Sequence, residues 1–174
     1  MGSGEDAPVI IAGGGLVGLS TAMFLAQRGV QSLVIERLTQ PSTVPRAAFF
    51  HMRTFELFRQ AGIEDEVRAQ SEKEFTPDGA IVAVESLAGK QLAAFIPSLN
   101  EGVEALSPCR RWFVSQPGLE PILRRRAGEI GARFVSGLEV FGAEQTGDGV
   151  SVLARDVASG EVRRFRGRYL VDCE

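Results

Sequence analysis

At 174 residues the chain is long enough for one ordinary domain with a substantial core, and its 44% hydrophobic and 24% charged residues fit a soluble globular protein. A net charge of −3 argues against a broad nucleic-acid footprint. No apolar stretch approaches the roughly 18 residues that span a bilayer, and Met1–Pro8 is small, polar and acidic, unlike a signal peptide, so the expected setting is the cytoplasm, with no membrane partner.

Val9-Ile10-Ile11-Ala12 is a short, β-branched apolar run ending in glycines, the pattern of a buried parallel strand. From Val17 to Arg28, residues Leu19, Ala22, Met23, Leu25 and Ala26 recur at helical spacing until Gly29 stops them. Ser32-Leu33-Val34-Ile35 is a second buried strand. Strand, glycine turn, helix and strand together make a right-handed βαβ unit.

Pro41 to Pro45 reads as a loop, followed by a helix from Met52 to Gln60 ended by Gly62 and a shorter helix from Glu64 to Gln70. Ala80 to Glu85 and Gln91 to Ile96 flank an Ala88-Gly89-Lys90 turn and read as a hairpin. Ser115 is a candidate cap for a helix from Gln116 or Pro117 to Glu129, with Leu119, Ile122, Leu123, Ala127 and Ile130 as its buried stripe. Short strands divided by glycines follow: Arg133–Val135, Leu138–Gln145, Val150–Asp156, Glu161–Arg166 and Tyr169–Val171. Arg124-Arg125-Arg126 reads as a solvated helix face. Cys109, Cys173 and the lone His51 show no metal-binding spacing, and both cysteines read as reduced, apolar thiols.

The chemistry lies in Gly13-Gly14-Gly15-Leu16-Val17-Gly18, which carries the G-x-G-x-x-G spacing. Gly13 permits the tight turn, Gly15 removes a side chain that would block a pyrophosphate, and Gly18 allows close helix–sheet packing. The helix N-terminus that follows, with Leu16 and Val17 at it, offers unpaired N–H groups and a positive dipole end to a diphosphate. Glu36, at the end of the second strand, is placed to accept both ribose hydroxyls of an adenosine and to repel a 2′-phosphate, which disfavours NADP there. The βαβ unit alone leaves FAD and NAD both open.

The flanking sequence narrows the choice. Glu36-Arg37, Pro45-Arg46-Ala47 with His51-Met52-Arg53-Thr54 behind it, Ser115-Gln116-Pro117-Gly118-Leu119-Glu120 and Tyr169-Leu170-Val171-Asp172-Cys173-Glu174 resemble the group A flavoprotein monooxygenases. These are para-hydroxybenzoate hydroxylase-like enzymes, and the chain is most similar to the aromatic polyketide hydroxylases of antibiotic pathways. The resemblance implies an α/β fold: a Rossmann-like FAD-binding βαβ unit with additional β-meander and hairpin strands. It makes residues 1–73 and 109–174 the FAD-binding domain and places the strands of 74–108 in the substrate-domain sheet, with the rest of the enzyme outside this chain.

It also implies FAD as cofactor, with Arg37 along its adenosine side, Arg46 toward its flavin side and Gln116 bonded to the ribityl or pyrophosphate portion. Arg110 and Arg111 are further candidates to approach it. Glu174 stands where the family has an Asp-Gly motif. NAD(P)H would reduce the flavin, whose C4a-hydroperoxide would hydroxylate a small aromatic substrate or insert oxygen beside a ketone; no residue is assigned as catalytic acid or base. Two other readings share the glycine motif: another FAD-dependent oxidoreductase, and a truncated FAD-binding module without activity.

Overall fold

A computed structural model describes residues 7–40 and 48–173. In chain order the elements are β1 (Val9–Ala12), α1 (Leu16–Gln27), β2 (Ser32–Glu36), β3 (Phe49–Phe50), α2 (Met52–Ala61), α3 (Glu64–Glu74), β4 (Ile81–Val84) and β5 (Gln91–Ile96). There follow β6 (Trp112–Phe113), α4 (Gln116–Glu129), β7 (Arg133–Ser136), β8 (Leu138–Thr146), β9 (Gly149–Asp156), β10 (Val162–Gly167) and β11 (Tyr169–Asp172). The chain divides into two compact units, Met1–Val44 with Leu119–Glu174, and Pro45–Gly118.

The first unit is built on a parallel sheet in the order β11-β1-β2-β7. Val9–Ala12 is buried throughout and Ser32–Glu36 nearly so, because both faces of these strands are covered, as continuous apolar runs require. One face, carrying Ile10, Leu33 and Ile35, packs against Leu138, Val152, Ala154 and Phe165 of the antiparallel meander β8-β9-β10. The other face meets α1, whose Gly18 lies against Ile11, and whose Leu19, Ala22 and Met23 are buried. At roughly 25 cal/mol per Å2 of apolar surface, each buried Leu, Ile, Val, Phe or Met side chain here contributes about 1.5–3 kcal/mol before entropy is counted. The register of β8 on β9 slips between Val140 and Gly142, a bulge that leaves Phe141 exposed beneath the Arg155 guanidinium.

The second unit holds α2 and α3, the short β3–β6 pair and the β4–β5 hairpin. Gly62 ends α2 in the left-handed conformation at φ 72, which glycine adopts without penalty. Phe55, Phe58, Ile63, Val67, Cys109 and Val114 are buried within it.

The helix α3 runs to Glu74, beyond the expected Gln70, because tertiary contacts hold its last turn. Ser71 is buried there, and Glu74 receives hydrogen bonds from Gln70 and from the Ser115 backbone. β3 and β6, two residues each, are too short for periodicity to signal. Among the described residues no helix is long and apolar enough to cross a membrane.

Candidate nucleotide-binding site

In a parallel sheet the strands end together, so loops at their carboxyl ends gather residues distant in sequence. Ala12 of β1 lies in register with Ile35 of β2 and Asp172 of β11, and the Cys173 N–H donates to the Ala12 carbonyl at 2.8 Å. The glycine turn leaves β1 at this edge. Gly13 is at φ 93, a conformation strained for any side-chain-bearing residue, and its N–H donates to the Ile35 carbonyl at 2.9 Å. The turn is thereby tied to β2 before α1 begins.

The remaining glycines have different reasons. A Cβ on Gly18 would run into the Gly13 carbonyl oxygen and crowd Ile11 Cγ2 at 3.3 Å, so only glycine lets α1 start this close to β1. A Cβ on Gly14 would meet Glu36 Cβ at 3.0 Å. Gly15 is the exception. Its backbone is extended (φ −75, ψ −170), and the nearest atom to an added Cβ is Glu120 Oε1 at 4.0 Å. Among the described residues nothing requires glycine there, and the open side is the approach to the helix N-terminus.

That N-terminus suits an anion. The first turn of α1 has no acidic residue and no side-chain cap, and its leading N–H groups lack intrahelical acceptors. Gly15 is the N-cap, Leu16 and Val17 are the first helical residues, and Val17 is 65% exposed while Leu19 is buried.

Glu36 reaches the turn directly. Its Oε2 accepts the Gly14 N–H at 2.5 Å and its Oε1 accepts the Leu38 N–H at 2.6 Å. A carboxylate has about four acceptor positions; with one N–H on each oxygen among the described residues, capacity remains for two hydroxyl donors. The residues present therefore fit an adenosine diphosphate moiety: a glycine cradle with an open flank, a dipole end without competing acid, and a held carboxylate with spare acceptors. Gly14, outside the recognised motif, belongs to this arrangement as the donor that orients Glu36. Arg37 follows and is exposed.

Glu120 was not singled out by sequence reasoning. It is 6% exposed on α4 and faces the flank of Gly15. Gln116, half-buried at the start of α4, lies one turn earlier on the same helical stripe. The helix start is capped by Ser115, whose Oγ accepts the Gly118 N–H at 3.1 Å, as the sequence predicts. Arg46 and Glu174 lie outside the described residues. His51 is the N-cap residue of α2 without a side-chain capping bond.

Arg110 and Arg111 fall in a bonded loop of the second unit. Arg110 pairs with Asp78, and the Arg111 guanidinium donates to the Leu99 carbonyl at 2.5 Å. The buried amide of Asn100 bridges Asp78 and both backbone groups of Arg111. The Cys109 thiol is buried and its pKa is pushed up, first by burial and then by the Glu64 carboxylate 3.5 Å away. It stays a protonated thiol. No group of three His, Cys, Asp or Glu among the described residues could hold a metal ion.

A family profile described as "FAD binding domain" matches residues 6–174. The 4-methyl-5-nitrocatechol 5-monooxygenase of a Burkholderia species is 49% identical over 166 residues, covering 95% of this chain and 30% of the relative. The aklavinone 12-hydroxylase DnrF of Streptomyces peucetius is 38% identical over 170 residues, covering 95% of this chain and 35% of the relative. The chain thus spans about a third of the length of the curated relatives it matches.

Among solved structures, the flavin-dependent monooxygenase PieE in complex with FAD and substrate superposes with a TM-score of 0.84 at 30% identity, over 95% of this chain and 30% of that one. A ternary complex of aklavinone-11 hydroxylase with FAD and aklavinone gives 0.80 at 34% identity, over 98% of this chain and 33% of that one. The chain belongs to the FAD-binding domain family, and it has the para-hydroxybenzoate hydroxylase-like fold of the aromatic and polyketide monooxygenases within it.

Proposed function

We propose that this chain binds FAD and forms the cofactor-binding part of a monooxygenase that oxidises a small aromatic, polyketide-type substrate, by ring hydroxylation or Baeyer–Villiger insertion, with NAD(P)H as electron donor. The observation that carries the reading is the bonding of Glu36 to Gly14, which sets a carboxylate against an open glycine cradle at the carboxyl ends of parallel strands. FAD, when bound, supplies the redox and oxygen-transfer chemistry; this chain's residues bind and orient it.

In this reading the diphosphate rests against Gly13, Gly15 and the first N–H groups of α1 at Leu16, Val17 and Gly18. Glu36 accepts the adenosine ribose hydroxyls while Gly14 and Leu38 keep its carboxylate turned toward them. Arg37 lies along the adenosine side, Arg46 toward the flavin side, and Gln116 hydrogen-bonds the ribityl or pyrophosphate portion. Residues 1–73 and 109–174 serve the cofactor. The β4–β5 hairpin within 74–108 belongs to the substrate-domain sheet, consistent with apolar side chains exposed on both its faces. The partner covering it is the rest of the enzyme's own chain.

A second reading of the substrate takes a single-ring substituted catechol in place of a fused polyketide. The 49% identity to the nitrocatechol monooxygenase, against 38% to the aklavinone hydroxylase, favours it. Both are tested together. The full-length protein should show flavin absorbance as purified, and its NAD(P)H oxidation should accelerate with an electron-rich aromatic compound. Colourless protein that takes up no FAD would sink the cofactor reading. Lack of stimulation by either catechols or polyketide quinones would sink the hydroxylase reading alone.

A further inference from the structure

We propose that Glu74 is the positioning residue for Gln116: its carboxylate, brought in by the last turn of α3, sets the start of α4 from which Gln116 meets the cofactor. The inference rests on the cofactor role proposed for Gln116.

Glu74 docks onto the N-terminal turn of α4 from outside that helix. Its Oε2 accepts the Ser115 N–H at 2.6 Å, and its Oε1 accepts the Gln70 side-chain amide at 2.6 Å. Arg53–Glu56 and Arg125–Glu129 are exposed pairs within one helix. Glu74 instead links residues 41 positions apart through a charge-assisted bond to an uncharged backbone donor. Burial raises its pKa, but the Gln70 and Ser115 donors outweigh that and hold the carboxyl below its ordinary value, so it is ionised at neutral pH. An anion at this end of α4 also meets the positive end of the helix dipole.

A second observation is steric. A Cβ on Gly118 would collide with Glu74 Oε1 and press on Gln70 Cγ and Nε2 at 3.1 Å. The backbone of Gly118 is thus shaped around the carboxylate, and its N–H closes back onto Ser115 Oγ at 3.1 Å. Gln116 lies between these two held points. With Ser115 bonded on one side and Gly118 packed on the other, the Gln116 Cα–Cβ direction is set before any ligand arrives, the arrangement that lowers the ordering cost of a binding group.

The test is a double-mutant cycle on FAD dissociation from the full-length protein, read by flavin fluorescence during titration of the apoprotein. Glu74→Ala should weaken FAD about tenfold, the scale of a lost outer-sphere partner. In a Gln116→Ala background the same change should add no more than about twofold, because interacting residues are not additive. Gly118→Ala, which displaces the carboxylate, should reproduce Glu74→Ala; Glu74→Gln, which keeps an oxygen for the Ser115 N–H, should retain affinity within about threefold.

In the apoprotein, amide exchange at Ser115 should accelerate in Glu74→Ala and stay slow in Glu74→Gln. Should Glu74→Ala fail to fold, Gly118→Ala and Glu74→Gln carry the test. Equal losses of FAD affinity in both backgrounds, or unchanged exchange at Ser115, would overturn the positioning role while leaving the reading of Gln116 standing. A Gln116→Ala protein with unaltered FAD affinity would instead remove that reading, and this proposal with it.

Discussion

Strands β1 and β2 and strands β4 and β5 are made from the same kinds of residue, yet their surroundings differ completely. Val9–Ala12 is buried throughout and Leu33, Val34 and Ile35 are fully buried, whereas Ile81, Val82, Val84, Leu92 and Phe95 are 41–70% exposed. The first pair lies in the interior of a parallel sheet between β11 and β7, with the meander on one face and α1 on the other. Among the described residues the hairpin strands pair only with each other, and an isolated two-stranded hairpin is marginal in water. An apolar run thus specifies that a strand wants cover on both faces; it does not specify where the cover comes from.

The contrast can be tested from its strongest point downward. Gly18→Val should be the most damaging single change. Its side chain meets backbone rather than a movable group, and overpacking of that kind costs about 3 kcal/mol or more. Chemical denaturation of the full-length protein measures it, and a midpoint near wild type would show that the turn can open. Gly15→Val separates fold from function at the same loop. The apoprotein should unfold within about 0.5 kcal/mol of wild type, because the space is open, yet purify without flavin. Flavin absorbance unchanged in that variant would remove Gly15 from the diphosphate site.

Phe95→Ser probes the other side of the comparison. If the rest of the chain covers the hairpin, the full-length protein should lose about 1.5–3 kcal/mol, the value of one buried large apolar side chain. A loss below about 0.5 kcal/mol would make the hairpin a true surface element. Glu36→Ala should weaken FAD by about 1.5–3 kcal/mol, roughly 10- to 150-fold, as hydrogen bonds to a charged group are lost. An unaltered dissociation constant measured by fluorescence titration would refute the ribose contact.

The smallest effect concerns pH in the second unit. Arg59 beside Glu64 holds that carboxyl below its ordinary 4.5. The folded state therefore binds fewer protons than the unfolded chain, and this stabilisation, present above about pH 4.5, disappears as pH falls toward the depressed value. Cys109 acts in the opposite sense. Burial first, then Glu64, raises its thiol above 9.0, so its contribution is complete below that pH and is lost as pH climbs toward the raised value. Cys109→Ser should flatten the alkaline limb of a stability–pH curve and leave the acid limb in place. An alkaline limb identical to wild type would show that other groups account for it.

Much of the first unit is legible in the residue string. The β1–α1–β2 unit depends on local signals: apolar runs of strand length, a helical stripe, and glycines where the backbone must turn or pack. The spacing of Gly13, Gly15 and Gly18 and the acid at the end of the next strand follow from the reach of one βαβ unit, so both are visible without a fold. Gly14 carries no such signal, because its task, donating to Glu36 and packing on its Cβ, exists only once β1 and β2 are side by side. The short strands β3 and β6 are not legible in the sequence, because two residues show no period.

What the sequence determined by itself was the identity of the elements and the chemistry of the turn, since propensity, periodicity and backbone sterics act over a few residues. Tertiary structure alone decided that β7 and β11 would flank β2 and β1, that the meander would seal one face, and that Glu120 would come up beside Gly15. It alone decided, too, that Glu74 would accept the N–H of Ser115, 41 residues away. Those are pairings between residues with no local signature for one another, and they form only when burial of the whole apolar surface brings their elements together.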